Sequence, residues 1–342
     1  MRQIAVALGL LCSATAFAAD SQLMNLVMPD AKILAGFNAT SIRISPFGQF
    51  ILSKIAANGQ ALQAITAATG FNPLQDVSEV LAATTADPSS PGGLLLVSGT
   101  FPVDKITESV TRALPGASVT TYGGARLIEI SAPKAKTGQA VAFIGNAIAV
   151  GGDLASVKAA IDRSTGSNSI DPMLAVAVNQ LSASEDEWLA SSVSPGSLIP
   201  ANSAAGVPAN SPLQQVLPLL KNILAFQGGV KFAETVQLTG EATTSSAQNA
   251  GALQAILKLG VMLGESALTS NKDPVVGDLV QLLQSLQVTT SGAAVDLSLP
   301  IPEAQIEAAL NTSPAIGAAE PAKGIREGRP RAGKSPGIEP LP

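Results

Sequence analysis

The sequence predicts an α+β protein of two sheet-and-helix lobes, with an echo between the lobes and a disordered C-terminal tail. Three observations carry this. Short alternating apolar runs come in pairs split by Gly-containing dipeptides, the mark of antiparallel hairpins. Longer segments with apolar residues at helical spacing lie between them. The 342 residues are 46% hydrophobic but only 3% aromatic, so Ala, Leu and Val have to fill the cores.

The first lobe is placed at residues 20–165. Lys32 to Asn38 reads as a strand with Ile33, Ala35 and Phe37 on one face. Ser45-Pro46 opens a helix with Phe47, Phe50, Ile51 and Ile55 as its stripe. A helix over Gln60 to Thr69 stops at Gly70. Val77 to Ala83 and Gly93 to Gly99 are strands around the turn-rich Asp87 to Gly92. Asp104 to Leu114 is helical, with Ile106, Val110 and Leu114 on one side. Hairpins turn at Gly123-Gly124 and Gly145-Asn146. Leu154 to Arg163 closes the lobe as a helix capped by Asp153.

Residues 166–212 read as a connector, with a helix over Pro172 to Leu181 and a second opened by Ser184-Glu185-Asp186-Glu187 as a capping box. The second lobe spans 213–310. Leu213 to Leu224 has helical period, bent at Pro218. Gly229 to Ala233 and Thr235 to Thr243 form a hairpin. Helices follow over Ala247 to Leu263 and from Asp273-Pro274, then a hairpin across Ser291-Gly292, then a helix over Pro302 to Leu310. Val119-Thr120-Thr121 before Gly123-Gly124 echoes Val288-Thr289-Thr290 before Gly292, each following a helix. The tail, 311–342, is rich in Pro, Gly and Ala, carries Arg326, Arg329, Arg331 and Lys334, and has no apolar period.

Residues 1–19 form a secretory leader. Arg2 supplies the positive charge, Ile4 to Cys12 the apolar stretch, and Ala16-Phe17-Ala18 the cleavage signal, so cleavage is expected at Ala18 and Ala19, with the mature chain starting near Ala19 or Asp20. No later stretch reaches the ~20 apolar residues a bilayer span needs. Removing the leader removes the single cysteine, Cys12. The exported chain is therefore expected in the periplasm or outside the cell, stabilised by burial without disulfides.

Much chemistry is excluded by composition. Histidine is absent, so neither a Ser-His-Asp nor a Cys-His triad can form within the chain, and zinc lacks its usual ligands. A net charge of −5 disfavours nucleic acid as partner. Ser131-Ala132-Pro133-Lys134 matches S-x-x-K, but Pro133 opposes the helix that would bring Ser and Lys together. Glu185, Asp186 and Glu187 are the densest acidic group; they suit a helix N-terminus better than calcium. Asp76 and Glu79 read as solvated loop carboxylates. Trp188 is the one aromatic singled out as a binding contact, against simple packing. The apolar helices of 213–286 either line a groove for an acyl chain or fill a core. No cofactor or metal site is called for.

Residues 69–165, from Thr69-Gly70-Phe71-Asn72-Pro73 through Ala142-Phe143-Ile144-Gly145-Asn146 to Ala159-Ala160-Ile161-Asp162, resemble the exported bacterial proteins of unknown function that share a repeated α+β (strand-helix-hairpin-helix) domain. The resembling positions are turn and packing signals, so the resemblance implies architecture and transfers no catalytic residue. The short Gly-rich turns and the basic tail depart from it. The expectation is a non-catalytic exported protein that binds an envelope or protein partner or acts structurally. A lipid carrier is the first alternative and a histidine-free hydrolase the second.

Overall fold

The computed structural model describes residues 19–87, 92–130, 138–166, 170–198, 220–269 and 274–312. In chain order the elements are α1 (Ser21–Leu26), β1 (Ile33–Phe37), α2 (Ala39–Ile44), α3 (Pro46–Asn58), α4 (Gln60–Thr69), α5 (Pro73–Asp76), β2 (Val77–Thr84), β3 (Gly93–Gly99), α6 (Val103–Ala113), β4 (Ala117–Tyr122), β5 (Ala125–Ile130), β6 (Gln139–Ile144), β7 (Ile148–Asp153) and α7 (Leu154–Arg163). They continue with α8 (Pro172–Ser184), β8 (Glu187–Ser191), α9 (Pro195–Leu198), β9 (Ile223–Lys231), β10 (Thr235–Thr244), α10 (Ala247–Thr269), α11 (Pro274–Ser285), β11 (Gln287–Ser291), β12 (Ala294–Pro302) and α12 (Glu303–Thr312).

All twelve strands join one antiparallel sheet, in the order β11-β12-β10-β9-β8-β1-β2-β3-β7-β6-β5-β4. The two expected lobes are thus the two halves of a single sheet, joined where β8 pairs with both β1 and β9. The echoing segments lie in the hairpins at its two edges, β4–β5 and β11–β12.

Residues directly opposite each other in a ladder share a face, and one row runs across every strand. It reads Thr120, Leu127, Ala142, Val150, Leu96, Leu81, Gly36, Trp188, Gly229, Thr239, Ser298, Gln287. From Leu127 to Trp188 it is apolar and buried under α1, α7 and α8, through Leu23, Leu26, Val157, Ile161, Leu174 and Val178. Beyond Trp188 the same face turns polar.

The opposite face is buried at both ends of the sheet. Val103, Phe101, Ile128 and Phe143 pack together at the β4–β7 end beneath α6. At the other end Ile223, Ala250, Leu253, Val288 and Val295 form a core beneath α10. The β4–β7 end is therefore covered on both faces, and the β9–β12 end on one, beneath α10. Ile33, Ala35 and Phe37 share one face of β1 as expected; the alternate face, with Leu34 and Gly36, is the more deeply buried.

Local signals place most elements. Ser45 caps α3 by accepting from Gly48 N, with Pro46 at the first turn. Gly70 ends α4 at φ 72°. Asp153 accepts from Ser156 N at 3.0 Å and opens α7. Arg163, at the far end of α7, donates to the Leu26 carbonyl at 2.8 Å and so ties α7 to α1.

The β4–β5 turn is the expected pair, Gly123 at φ 53° and Gly124 at φ 81°, both positive as a type I′ turn requires. A Cβ on Gly123 would also lie 2.8 Å from Ile161 Cγ2, whereas Gly124 faces open space. Gly123→Ala is expected to cost about 2 kcal/mol and Gly124→Asn under ~0.5 kcal/mol, measured by denaturant unfolding. Equal costs would show that only the backbone angle matters.

Four expectations are corrected. Ser184 ends α8, its hydroxyl bonding back to the Gln180 carbonyl at 3.2 Å, and Glu187 begins a strand; no helix opens there. Ile223 and Leu224 are in β9, because pairing with β8 and β10 on both sides overrides their helical spacing. The β6–β7 loop has three residues, since Ile144 pairs Ile148. The last hairpin turns at Gly292-Ala293, with Ser291 opposite Ala294; Gly292 takes the positive φ of 57° at the first central position, as in a type II′ turn. Residues 1–18, the Ser131–Lys134 pattern, Pro218 and the tail from 313 lie outside the described residues.

Candidate functional site

The change of face polarity at Trp188 leaves two grooves, one on each side of the β8–β9 seam. The first lies on the polar side, between α8 and the β9–β10 hairpin, with a volume of about 650 Å³. Met173, Val176 and Ala177 of α8 form one wall, and Leu224 and Ala225 of β9 the other, while the side chain of Phe226 turns to the opposite face and packs in the core beneath α10. Met173, Val176 and Leu224 are more than half exposed, so their apolar surface faces the groove and solvent rather than a core.

Gln180, Gln227, Glu241 and Thr243 make the polar part of the lining. Gln227 Nε2 donates to Glu241 Oε2 at 3.0 Å and Thr243 Oγ1 to Oε1 at 3.4 Å. No basic side chain among the described residues lies within ion-pair distance of Glu241. The groove is continued along β10 by Glu185, Thr239 and Asp296. Thr239 Oγ1 donates to Glu185 Oε1 at 3.1 Å, while Oε2 is buried without a partner.

The second groove, about 530 Å³, lies on the other face over small residues: Ala35, Ala82 and Gly228, flanked by Phe37, Val80, Leu189, Val230 and Leu238. Glu187 stands in its lining, and burial together with neighbouring Asp186 pushes its carboxyl pKa up.

The residues singled out in the sequence fall as follows. Trp188 is buried, with its indole over Gly36, where a Cβ would come within 2.2 Å of the ring. It fills the core and offers no exposed platform. Asp186 is 2% exposed and neither caps a helix nor joins a metal cluster. Its Oδ1 pairs with Lys231 at 2.8 Å, its Oδ2 accepts from Phe232 N at 2.8 Å, and its backbone bonds Val230 and Asn38. It therefore fastens β8 to the start of the β9–β10 turn.

Glu79 is not loop solvation either: it is a half-buried carboxyl on β2 that accepts from the Asp20 amide. Ala19, on the mature side of the expected cut, packs against the main core. The helices α10 and α11 cover the sheet rather than enclose a groove, although Leu259, Met262 and Leu263 of α10 stay more than half exposed. Among the described residues no group of three or more acidic, His or Cys side chains is placed to hold a metal.

The groove under α8 is the feature sequence reading missed. Met173 and Val176 sit on the outer face of a helix, and Glu241 and Thr243 on alternate positions of a strand; only the pairing β8–β9–β10 brings them together.

No protein-family model and no curated protein sequence matches the chain. Two solved structures resemble it in fold. The structure of crystal form IV of TP0453 superposes with a TM-score of 0.51 at 11% identity, covering 86% of this chain and 98% of that one. Crystal form I of TP0453 gives 0.47 at 12% identity, with 85% and 97% covered. No helix among the described residues is long and apolar enough to cross a membrane. The chain is thus an α+β protein on one large antiparallel sheet, similar in fold to TP0453 over most of its length.

Proposed function

We propose that the protein is an exported, non-catalytic binding protein whose ligand lies in the groove between α8 and the β9–β10 hairpin. The leader at residues 1–19 supports export to the periplasm or the cell exterior. The absence of histidine from the sequence supports a binding role over a hydrolytic one, since the commonest base is missing.

The observation that carries the ligand assignment is the pairing of an apolar wall with a polar part that, among the described residues, holds acceptors and no cation. At about 650 Å³ the groove is in the range of small-molecule sites. Met173, Val176 and Leu224 suit an aliphatic chain, and Glu241 suits a donor. The ligand is therefore a small amphiphile bearing an ammonium, hydroxyl or amide group. A carboxylate or phosphate would meet Glu241 with like charge and no compensating base.

Calorimetry with octylammonium and octanoate below their micelle concentrations tests this. Octylammonium is expected to bind at least ~10-fold more tightly, a difference of about 1.4 kcal/mol. Glu241→Gln should erase most of that preference, and Met173→Glu should weaken octylammonium's chain contact. Equal affinities, or no binding of either, would overturn the ligand class.

A further inference from the structure

We propose that cutting the Ala18–Ala19 bond creates an α-ammonium for which Glu79 is the built-in receptor, so that removing the leader completes the anchoring of α1 in the core. The idea rests on the export reading above and adds a structural consequence to it. Hydrolysis by the host's leader peptidase adds water across the peptide bond, leaving a carboxylate on Ala18 and a protonated amine on Ala19.

The geometry is already set for that charge. The Asp20 amide donates to Glu79 Oε2 at 3.1 Å and Oε1 at 3.4 Å, so one donor is shared between two oxygens. Successive backbone nitrogens are ~3 Å apart. The Ala19 nitrogen is one residue back along the chain from that bonded amide, so turning about Ala19 ψ can bring the freed ammonium within reach of the same carboxylate. No Lys or Arg among the described residues is within ion-pair distance of Glu79. The one neighbouring charged group named with it, Asp20, has the same sign. Burial, opposed by the Asp20 amide bond and reinforced by the Asp20 charge, lifts the Glu79 carboxyl to about 7. A buried carboxylate lacking its cation behaves in this way.

The surroundings make the position firm. Ala19 packs on the core, Asp20 caps α1 by accepting from Gln22 N at 2.8 Å, and Leu23, Leu26 and Val27 are at most 1% exposed. The new terminus therefore does not dangle, as most chain ends do. Held at the root of α1, it meets a half-buried carboxylate with its charge unbalanced.

The test uses the chain starting at Ala19, with a free or an acetylated α-amine, each with Glu79 or with Glu79→Gln. Acetylation removes only the terminal charge. It is expected to lower Tm by roughly 2–4 °C when Glu79 is present and by under ~1 °C in Glu79→Gln. In the unmodified chain, NMR titration should place the α-amine pKa above its ordinary ~7.7–8.0, a readout that does not depend on the variant folding. Equal acetylation effects in both backgrounds, or an ordinary amine pKa, would overturn the ion pair and leave the export reading standing. An intact mass of the exported protein that places its first residue away from Ala19 would likewise overturn the ion pair alone, whereas a protein retained in the cytoplasm with its leader uncut would overturn both.

Discussion

Gly36→Ala is expected to destabilise the protein by about 3 kcal/mol, more than glycine's backbone freedom could explain. Gly36 sits in the central strand β1 directly opposite Trp188 of β8, and the indole occupies the space above its Cα. A methyl there would stand 2.2 Å from Cε2 and 2.3 Å from Cζ2. The ring is buried between β1 and the helices on that face, so it has nowhere to move without opening the seam between the two halves of the sheet. Trp188 is the chain's one tryptophan, so its fluorescence reports unfolding from the site itself.

Two comparisons separate the clash from the ordinary effect of alanine in a strand. At Gly151, in β7 on the other face, an added methyl would find its nearest atom, the Leu95 carbonyl oxygen, 3.9 Å away, so Gly151→Ala should be neutral or mildly stabilising. Combining Gly36→Ala with Trp188→Leu should cost less than the sum of the two. Additive losses, or an equal penalty at Gly151, would contradict the packing account.

Asp186→Ala is expected to cost about 2–3 kcal/mol, because it removes two bonds at once and leaves the Phe232 amide without its acceptor. Most of that loss belongs to the amide. The Lys231 side chain is 48% exposed, so its ammonium regains water when the pair is broken. Lys231→Met leaves the buried Asp186 carboxylate with the Phe232 amide as its remaining donor, so it should cost about 1–2 kcal/mol, less than Asp186→Ala, and Asp186→Asn, whose oxygen still accepts from the amide, should also cost less than Asp186→Ala. Chemical denaturation of the three variants ranks them. If Lys231→Met equals Asp186→Ala, the ion pair dominates and this assignment is wrong. The turn matters beyond its own bonds, since Phe232 packs on Phe47 of α3 with ring centroids 5.5 Å apart.

The acidic run shows why some of this is hidden in the sequence. Ser184-Glu185-Asp186-Glu187 has the spacing of a capping box, and no local feature contradicts that reading. What decides otherwise is pairing: Glu187 to Ser191 finds β1 on one side and β9 on the other, and Asp186 finds Lys231 and Phe232. Glu79 misleads for the same reason, its donor lying at Asp20 rather than in its own strand. Trp188 stands out in the sequence, but nothing nearby in the chain tells whether an indole faces solvent or a glycine.

By itself the sequence determined the features that arise within a few residues of one another: the α+β class, the helix from Gln60 to Thr69, the Asp153 cap and the Gly123-Gly124 turn. These depend on backbone angles and on caps that close locally. Tertiary structure alone decided that the two halves share one sheet, that the face carrying Trp188 turns from apolar to polar beyond it, and that the groove of Met173, Leu224 and Glu241 exists. Those outcomes depend on which strands meet and in what register, and a one-residue change of register exchanges the faces. Such choices are settled by burial summed over the whole sheet, which no short stretch of chain contains.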